Sequence, residues 1–306
     1  MGIISPIMSF IVERETGFPA PSERDKINRA VEKYRKILRN FPGRADIGEI
    51  KFGLADLYVG RGDPGDYEKA SAYYEDILKT SGSFNLRARA QVGRAELMVP
   101  GINKEKIEEA IELCRTARQT LNDDLSDFFV AKTYIVEADL RLVRDEPGDH
   151  DAALKIHEKL IKNRHANWYF RARALLGKAE LILYHYPAKL SEAISFCERS
   201  ERLLRDRPGD YFALKDNIVE SELRIRRGKG EDFHRAQKLL KEVVLLPHAY
   251  RDLSARARLN LAEISKHPDA RKYLKEVEQM EGLDPYLIDK AKLVAKKLKE
   301  TAKKKK

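Results

Sequence analysis

The chain has 306 residues, of which 42% are hydrophobic and 35% charged, with only 17 glycines and 12 prolines. This composition favours long helices and argues against a loop-rich β fold. The net charge of +10 suggests nucleic-acid or membrane partners, but nine lysines and one glutamate fall in residues 290–306. The rest of the chain is therefore nearly balanced in charge.

The first element is an apolar segment, GIISPIMSFIV at residues 2–12. It is too short to span a membrane. No positive charge precedes it and Pro6 interrupts it, so it does not have the pattern of a secretion signal. We expect a cytoplasmic protein with an N-terminal segment at residues 1–23, in which residues 5–16 could form a degenerate first helix.

From residue 24 onward, a small residue followed by an acid and by leucine or isoleucine recurs six times. The copies begin at Ala55, Ala95, Ala138, Ala179, Ser221 and Ala262. A second set of small anchors follows the first five copies at a nearly constant distance and comprises Ala70, Ala110, Ala153, Ala193 and Ala236. The copies recur with a period of about 41 residues, which predicts a repeat array with two helices in each unit.

Apolar residues around both anchors follow the helical period, as Ala172, Leu176, Ala179 and Leu183 do. Glycine and proline mark the turns between the helices, for example in GRGDPGDY at residues 60–67. Small and apolar residues lie on two opposite faces of the first helix, so that helix is expected to be buried on both sides. Stacking of neighbouring hairpins provides such burial. Over residues 24–283 we therefore predict an all-α solenoid of about six hairpins, each of about 41 residues.

Two stretches, GDYEKASAYYEDIL at 65–78 and KINRAVEKYRKILRNFP at 26–42, resemble the tetratricopeptide repeat. The resemblance covers roughly residues 24–280. The period is longer than the one typical of that family, which is about 34 residues, and the large aromatic residue common early in its first helix is mostly absent. The resemblance implies a right-handed superhelix whose first helices line a concave groove for protein partners.

The last elements are one more helix and a charged tail. Residues 284–301 have apolar residues at Leu287, Ala291, Val294 and Leu298, which predicts a helix that caps the open end of the stack. Residues 302–306 form a lysine tail. A solvated tail is the simplest interpretation, and contact with an anionic membrane or nucleic acid is the alternative.

The sequence contains no glycine-rich phosphate loop, no metalloprotease motif, no nucleophile elbow and no paired CxxC motif. We therefore predict no catalytic residue, no cofactor and no metal site. Asp63 and Asp66 lie in an acidic turn that lacks the full alternating spacing of a calcium loop, so a turn and capping role is predicted for them.

Cys114 and Cys197 each follow a second-helix alanine by one helical turn, in the slot that His157 occupies in another unit. All three are predicted to be core residues. Trp168, the only tryptophan, opens the first helix of the fourth unit. It either packs between units or contacts a partner.

A charged row recurs on the first helices. Two helical turns before the acid of each triplet, in units two to six, stands a base. The row comprises Arg89, Glu96, Lys132, Asp139, Arg173, Glu180, Lys215, Glu222, Arg256 and Glu263. Residues two turns apart share a helix face, and the family resemblance places this face in the concave groove.

We therefore predict a non-catalytic scaffold that binds a peptide or helix of a partner in this groove. Apolar positions such as Val92, Ile135, Leu176 and Ile218 would supply affinity if they reach solvent. One alternative is that the row is a solvated face whose acids and bases pair between neighbouring units. The other is a nucleic-acid-binding helical repeat protein that uses its basic residues and lysine-rich C-terminus.

Overall fold

The computed structural model describes residues 21–98, 104–246 and 250–303. The degenerate helix considered at residues 5–16 and the tail beyond Lys303 lie outside these residues. Every regular element in the described ranges is helical. In chain order the α-helices are α1 (Pro21–Asn40), α2 (Ile47–Arg61), α3 (Asp66–Thr80), α4 (Phe84–Leu97), α5 (Lys104–Thr120), α6 (Phe128–Arg144), α7 (Asp149–Lys162), α8 (Trp168–His185), α9 (Leu190–Leu204), α10 (Tyr211–Arg227), α11 (Asp232–Leu245), α12 (Arg251–Ile264), α13 (His267–Glu278) and α14 (Pro285–Lys303). A short 3₁₀ turn, Pro187–Lys189, precedes α9.

The helices alternate between the two predicted types. The triplets fall on the first helices α2, α4, α6, α8, α10 and α12, and the second alanines fall on α3, α5, α7, α9 and α11. The chain divides into an N-terminal compact unit that ends at Arg171 and a C-terminal unit that begins at Ala172. In the N-terminal unit each helix from α1 to α7 contacts the next along the chain, and α2, α4 and α6 also contact one another in order. In the C-terminal unit the same holds from α9 to α14, and α10 contacts α12. The predicted all-α solenoid of stacked hairpins is confirmed.

First helices are buried on more than one side, as predicted. Eleven of the 17 residues of α6 are buried, including residues on opposite faces such as Val136 and Ala138. Neighbours explain this burial, because α6 contacts its own partner α7, the preceding α5 and the first helix α4 of the hairpin before it. The alanine anchors of the second helices are fully inaccessible.

The slot after the second-helix alanine is a core position. Cys114, Cys197 and His157 are all buried there. Burial raises the pKa of both thiols well above the usual range, so neither is a reactive thiolate. The predicted core role of the three residues is confirmed.

A recurring arginine–aspartate clamp closes the turn inside alternate hairpins. Arg61 donates two hydrogen bonds to Asp66, at 2.7 and 2.8 Å. Arg144 binds Asp149 in the same way at 2.9 and 2.6 Å, and Arg227 binds Asp232 at 2.9 and 2.6 Å. The aspartates are buried and begin the second helix, so each ties the end of the first helix to the start of the second. The turn role predicted for Asp66 is confirmed.

The clamp arginines recur at twice the hairpin period, because Arg61, Arg144 and Arg227 stand in every second unit. The stretch FRARALLGKAEL at 170–181 likewise follows LRARAQVGRAEL at 86–97 by two units. Two kinds of hairpin therefore alternate along the chain. The period of about 41 residues is the length of one hairpin. Twice that interval is the length of a pair of unlike hairpins.

Helix α14 packs against the last hairpin. Its residues Leu287, Ala291 and Val294 are buried in one cluster with Ala262 of α12 and Leu274 of α13. These contacts cover apolar surface that α12 and α13 would otherwise present to solvent.

Candidate functional site

The structure places the charged row at the contacts between neighbouring first helices. Five of its members are buried, namely Asp139, Arg173, Glu180, Lys215 and Arg256. Arg89, Glu96, Lys132 and Glu222 are partly buried, and Glu263 alone of the ten is exposed. The row is therefore largely internal.

In the N-terminal unit the row joins successive first helices by ion pairs. Lys132 on α6 lies 2.6 Å from Glu96 on α4. Arg89 on α4 binds Glu49 on α2 at 2.9 Å, and its guanidinium also covers the rings of Phe52 and Phe129 at 4.3 and 4.7 Å from their centres. A base from one hairpin thus meets an acid from the hairpin before it.

The C-terminal unit follows the same rule. Lys215 on α10 lies 3.2 Å from Glu180 on α8, and Arg256 on α12 lies 2.7 Å from Glu222 on α10. Helix α14 supplies the next base, because Lys297 lies 3.2 Å from Glu263 on α12. Acids and bases of neighbouring units therefore pair, as one of the alternatives above supposed. Most of these ion pairs are buried, however, and do not lie on a solvated face.

Buried ion pairs constrain how the helices stack. Desolvation offsets much of their Coulomb attraction, so their net stabilisation is small, but removing one partner leaves an uncompensated charge and costs about 3–5 kcal/mol. A hairpin shifted by one turn would separate each base from its acid. The row therefore fixes the register between neighbouring first helices.

The condition under which the apolar positions of the groove would supply affinity, that they reach solvent, is not met. Val92, Ile135, Leu176 and Ile218 are all at most 1% exposed. Each lies on a first helix with packed neighbours on several sides, so none of these side chains faces water. Sequence periodicity shows that these positions face other helices but not how closely those helices approach.

A recess remains at the C-terminal end of the row. It has a volume of about 150 Å³, room for about five water molecules, and its lining comes from α8, α10, α12 and α14. The lining residues are Leu183, Tyr184, Glu222, Ile225, Arg226, Asn260, Glu263, Tyr286 and Lys290. Carboxylates, cations and two phenol rings thus surround a space the size of one side chain.

A hydrogen-bonded network forms the floor of this recess around Glu222. Its carboxylate accepts two hydrogen bonds from Arg256, at 3.0 and 2.7 Å, and one from Asn260 at 2.9 Å. Lys290 of α14 donates to Asn260 at 2.6 Å, and Arg256 donates to the Tyr184 hydroxyl at 3.1 Å. Burial would raise the pKa of Glu222, but Arg256 and Lys290 lower it to about 2. The floor is therefore fixed in both geometry and charge.

The rim of the recess is accessible. Arg226 and Glu263 are both exposed. The Arg226 guanidinium donates to the Leu183 carbonyl oxygen, and it forms no ion pair with a carboxylate of the described residues. Because both side chains are charged and reach solvent, the rim can form ion pairs and hydrogen bonds with a bound segment.

In the described ranges no group of three or more histidine, cysteine or acidic side chains could hold a metal ion. None of the described helices is both long and apolar enough to cross a membrane.

Trp168 is 40% exposed and its ring lies edge-on to that of Tyr169.

Repeats of this kind, with paired helices and fully buried small anchors, define a tetratricopeptide-type α-solenoid. The crystal structure of yeast Tom70 has this architecture and matches the chain with a TM-score of 0.59 at 15% identity. The match covers 93% of this chain and 62% of the Tom70 chain, so the chain spans less than two thirds of that protein. Twenty chains of solved structures match, whereas no family model and no curated protein matches the sequence. The likeness confirms the family resemblance at the level of the fold.

Proposed function

We propose that the chain is a non-catalytic scaffold that binds a peptide or helix of a partner protein along its first helices. The fold supports this proposal, because stacked hairpins present one helix of each unit side by side and so create extended binding surfaces. The row from Arg89 to Glu263 belongs to this surface and divides into a structural part and an accessible part.

The buried part of the row holds the surface in shape. Lys215 and Arg256 reach acids of the preceding hairpin and are almost inaccessible, so they set the spacing of the first helices. A rigid surface loses less entropy when a partner binds, which increases affinity.

The recess around Glu222 is the observation that carries the proposal. It combines a fixed polar floor with an exposed base, Arg226, and an exposed acid, Glu263. We propose that one side chain of the partner enters this recess while the charged rim orients the flanking backbone. Its small volume suits an anchoring side chain better than a cofactor.

The nucleic-acid alternative receives less support from the same geometry. Reading RNA along the first helices would require a continuous basic track. Lys132, Lys215 and Arg256 are each matched by an acid within hydrogen-bonding distance, so a phosphate backbone would compete with those carboxylates and meet their negative charge.

A comparative pull-down tests the proposal. The purified chain is immobilised, and proteins retained from an extract of the native cells are quantified by mass spectrometry. The double variant R226E/E263K reverses both rim charges and should reduce retention of a specific partner at least tenfold, about 1.4 kcal/mol. The control R205E/E278K reverses two other exposed charges and should retain that partner. Equal retention by R226E/E263K would contradict the proposal.

A further inference from the structure

A row of exposed aromatic residues lies along the turns that lead into the first helices of the N-terminal unit. Phe84, Phe128 and Trp168 are the first residues of α4, α6 and α8, and Phe41 lies in the turn before α2. Their exposed fractions are 56% for Phe41, 69% for Phe84, 46% for Phe128 and 40% for Trp168. We call these four residues the aromatic edge. Single exposed apolar residues are common on protein surfaces, whereas several grouped along one edge indicate an interaction site.

Each successive hairpin contributes one ring to the edge. The last of these rings, Trp168, lies near the end of the N-terminal unit. In α10 the corresponding first residue, Tyr211, is buried against the ring of Tyr250 at 4.9 Å. The exposed rings are therefore not a general requirement of the turn.

Within the edge, Phe128 packs against rings of the core. Phe128 lies 4.9 Å from the buried Phe170 and 5.3 Å from Phe129, which in turn lies 5.8 Å from the buried Phe52. A surface ring held in this way has little side-chain entropy to lose on binding.

The charge available beside the edge is positive. Arg39, Lys79 and Arg164 are exposed, and Arg87 lies over the Phe84 ring at 4.8 Å. No carboxylate among the described residues pairs with any of these four cations.

The turn before α6 carries three acids, all of which accept hydrogen bonds. Asp124 is exposed and accepts from the backbone and hydroxyl of Ser126. Asp127 accepts hydrogen bonds from the backbone of Phe129 and Val130. Asp123 accepts one from the Tyr134 hydroxyl and lies 3.2 Å from Lys159. Beside Phe41, Phe84 and Trp168 the edge therefore offers apolar rings and available positive charge, which complement an apolar and acidic ligand.

The spacing of the edge suits a helix. Packed helices lie about 8–10 Å apart, so successive rings repeat at about that distance. Two turns of an α-helix, about seven residues, advance about 10 Å. A docked helix of about 20 residues would therefore reach the rings of four successive hairpins. We propose that the aromatic edge docks an amphipathic α-helix of a partner protein that carries an apolar residue at every seventh position and acidic residues beside them. This surface is distinct from the recess of the proposed function and uses different residues.

Trp168 allows the proposal to be tested directly. It is the only tryptophan, so its fluorescence in the intact chain reports on the edge. The probe is a synthetic peptide of about 20 residues with leucine at every seventh position and glutamates flanking each leucine. We expect a saturable blue shift of the Trp168 emission with a Kd of about 100 µM or tighter. A peptide of the same composition with its leucines adjacent in sequence should bind at least tenfold more weakly.

Matched variants assign the binding to the edge. F41A/F84A removes the two most exposed rings and should weaken peptide binding at least tenfold, with an unchanged melting temperature because those rings contribute little to the core. F233A/L245A removes two exposed apolar side chains of α11 and should bind like the parent chain.

Three results would overturn the proposal. They are the absence of a Trp168 shift with the heptad peptide, equal affinity for the two peptides, and unchanged affinity in F41A/F84A. Phosphatidylserine vesicles are tested in parallel. A shift with vesicles and none with peptide would assign the edge to a lipid surface instead.

Discussion

The ring of Tyr74 on α3 lies directly against Gly93 on α4, so closely that a Cβ atom on Gly93 would stand 2.4 Å from the Tyr74 Cζ atom. The Tyr74 hydroxyl donates to Asp56 on α2 at 2.6 Å, so one buried side chain connects three consecutive helices. The glycine is what allows α4 to approach the ring.

Replacing this glycine with alanine should destabilise the N-terminal unit. Tyr74 is 1% exposed and cannot move aside without disturbing its hydrogen bond. We expect G93A to lower the free energy of unfolding by about 2 kcal/mol despite the better helix propensity of alanine, measured by urea denaturation. Gly60 on α2 has no atom within 4 Å of its Cβ position, so G60A should be neutral or stabilising. A G93A chain as stable as G60A would show that the contact is not tight.

The ion pairs between neighbouring first helices should give a measurable coupling free energy between hairpins. A double-mutant cycle with E96Q, K132M and E96Q/K132M isolates the pair that joins α4 to α6. Because both side chains are mostly buried at a distance of 2.6 Å, we expect a coupling free energy of about 1 kcal/mol or more. The exposed pair Glu32–Arg35 serves as the control and should couple by less than about 0.5 kcal/mol. Equal coupling in the two cycles would mean that the pair between α4 and α6 stabilises the fold no more than an exposed surface pair.

The clamp at Asp232 should stabilise the chain in a pH-dependent manner. The hydrogen bond from Arg227 lowers the pKa of Asp232 to about 2, against an ordinary value of 3.8. The stabilisation is therefore present above about pH 4 and is lost as the pH falls toward 2. D232N should lose about 2 kcal/mol at pH 7, and the difference from the parent should disappear near pH 2. D206N, at an exposed carboxylate, should show no difference at either pH.

Asp216 on α10 should have the opposite pH dependence. It is buried beside Cys197, and burial followed by the nearby Glu220 raises its pKa well above the ordinary value of 3.8. The folded chain holds the proton that the unfolded chain releases, so the stability is full below about pH 3.8 and decreases as the pH rises.

Removing that titration should therefore stabilise the chain at neutral pH. We expect D216N to raise the melting temperature at pH 7 by at least about 2 °C, roughly 1 kcal/mol, and to lose this advantage near pH 4. A melting-temperature difference that does not change between pH 4 and pH 7 would show that Asp216 is not protonated in the folded chain.

Much of the fold could be predicted from the sequence because small residues recur where helices cross. The matching of large and small residues between successive helices was also present in the sequence. Gly53 lies against the Tyr34 ring at 3.1 Å, as Gly93 lies against Tyr74, whereas Val136 stands at the corresponding position of α6. A large residue on one helix is met by a small residue on the next, and this pairing is visible once the positions in successive units are compared.

The accessible part of the site could not be predicted in the same way. Arg256 and Arg226 are both arginines on first helices, yet one is buried against Glu222 and the other lies on the rim of the recess. The difference depends on how near α14 and the neighbouring first helices approach. That distance is set by packing between elements far apart in the sequence, which periodicity alone does not determine.

Site-specific photo-crosslinking tests the scaffold proposal most directly. A benzoylphenylalanine placed at Ile225, which lines the recess, is activated in an extract of the native cells, and the crosslinked peptides are sequenced by mass spectrometry. The expected result is a crosslink to one defined segment of one partner protein, absent when R226E/E263K is added to the same chain. The same photoprobe at Phe233, an exposed position outside the recess, should not label that segment. No crosslink from position 225, or equal labelling of the segment from position 233, would contradict a partner-binding role for the recess.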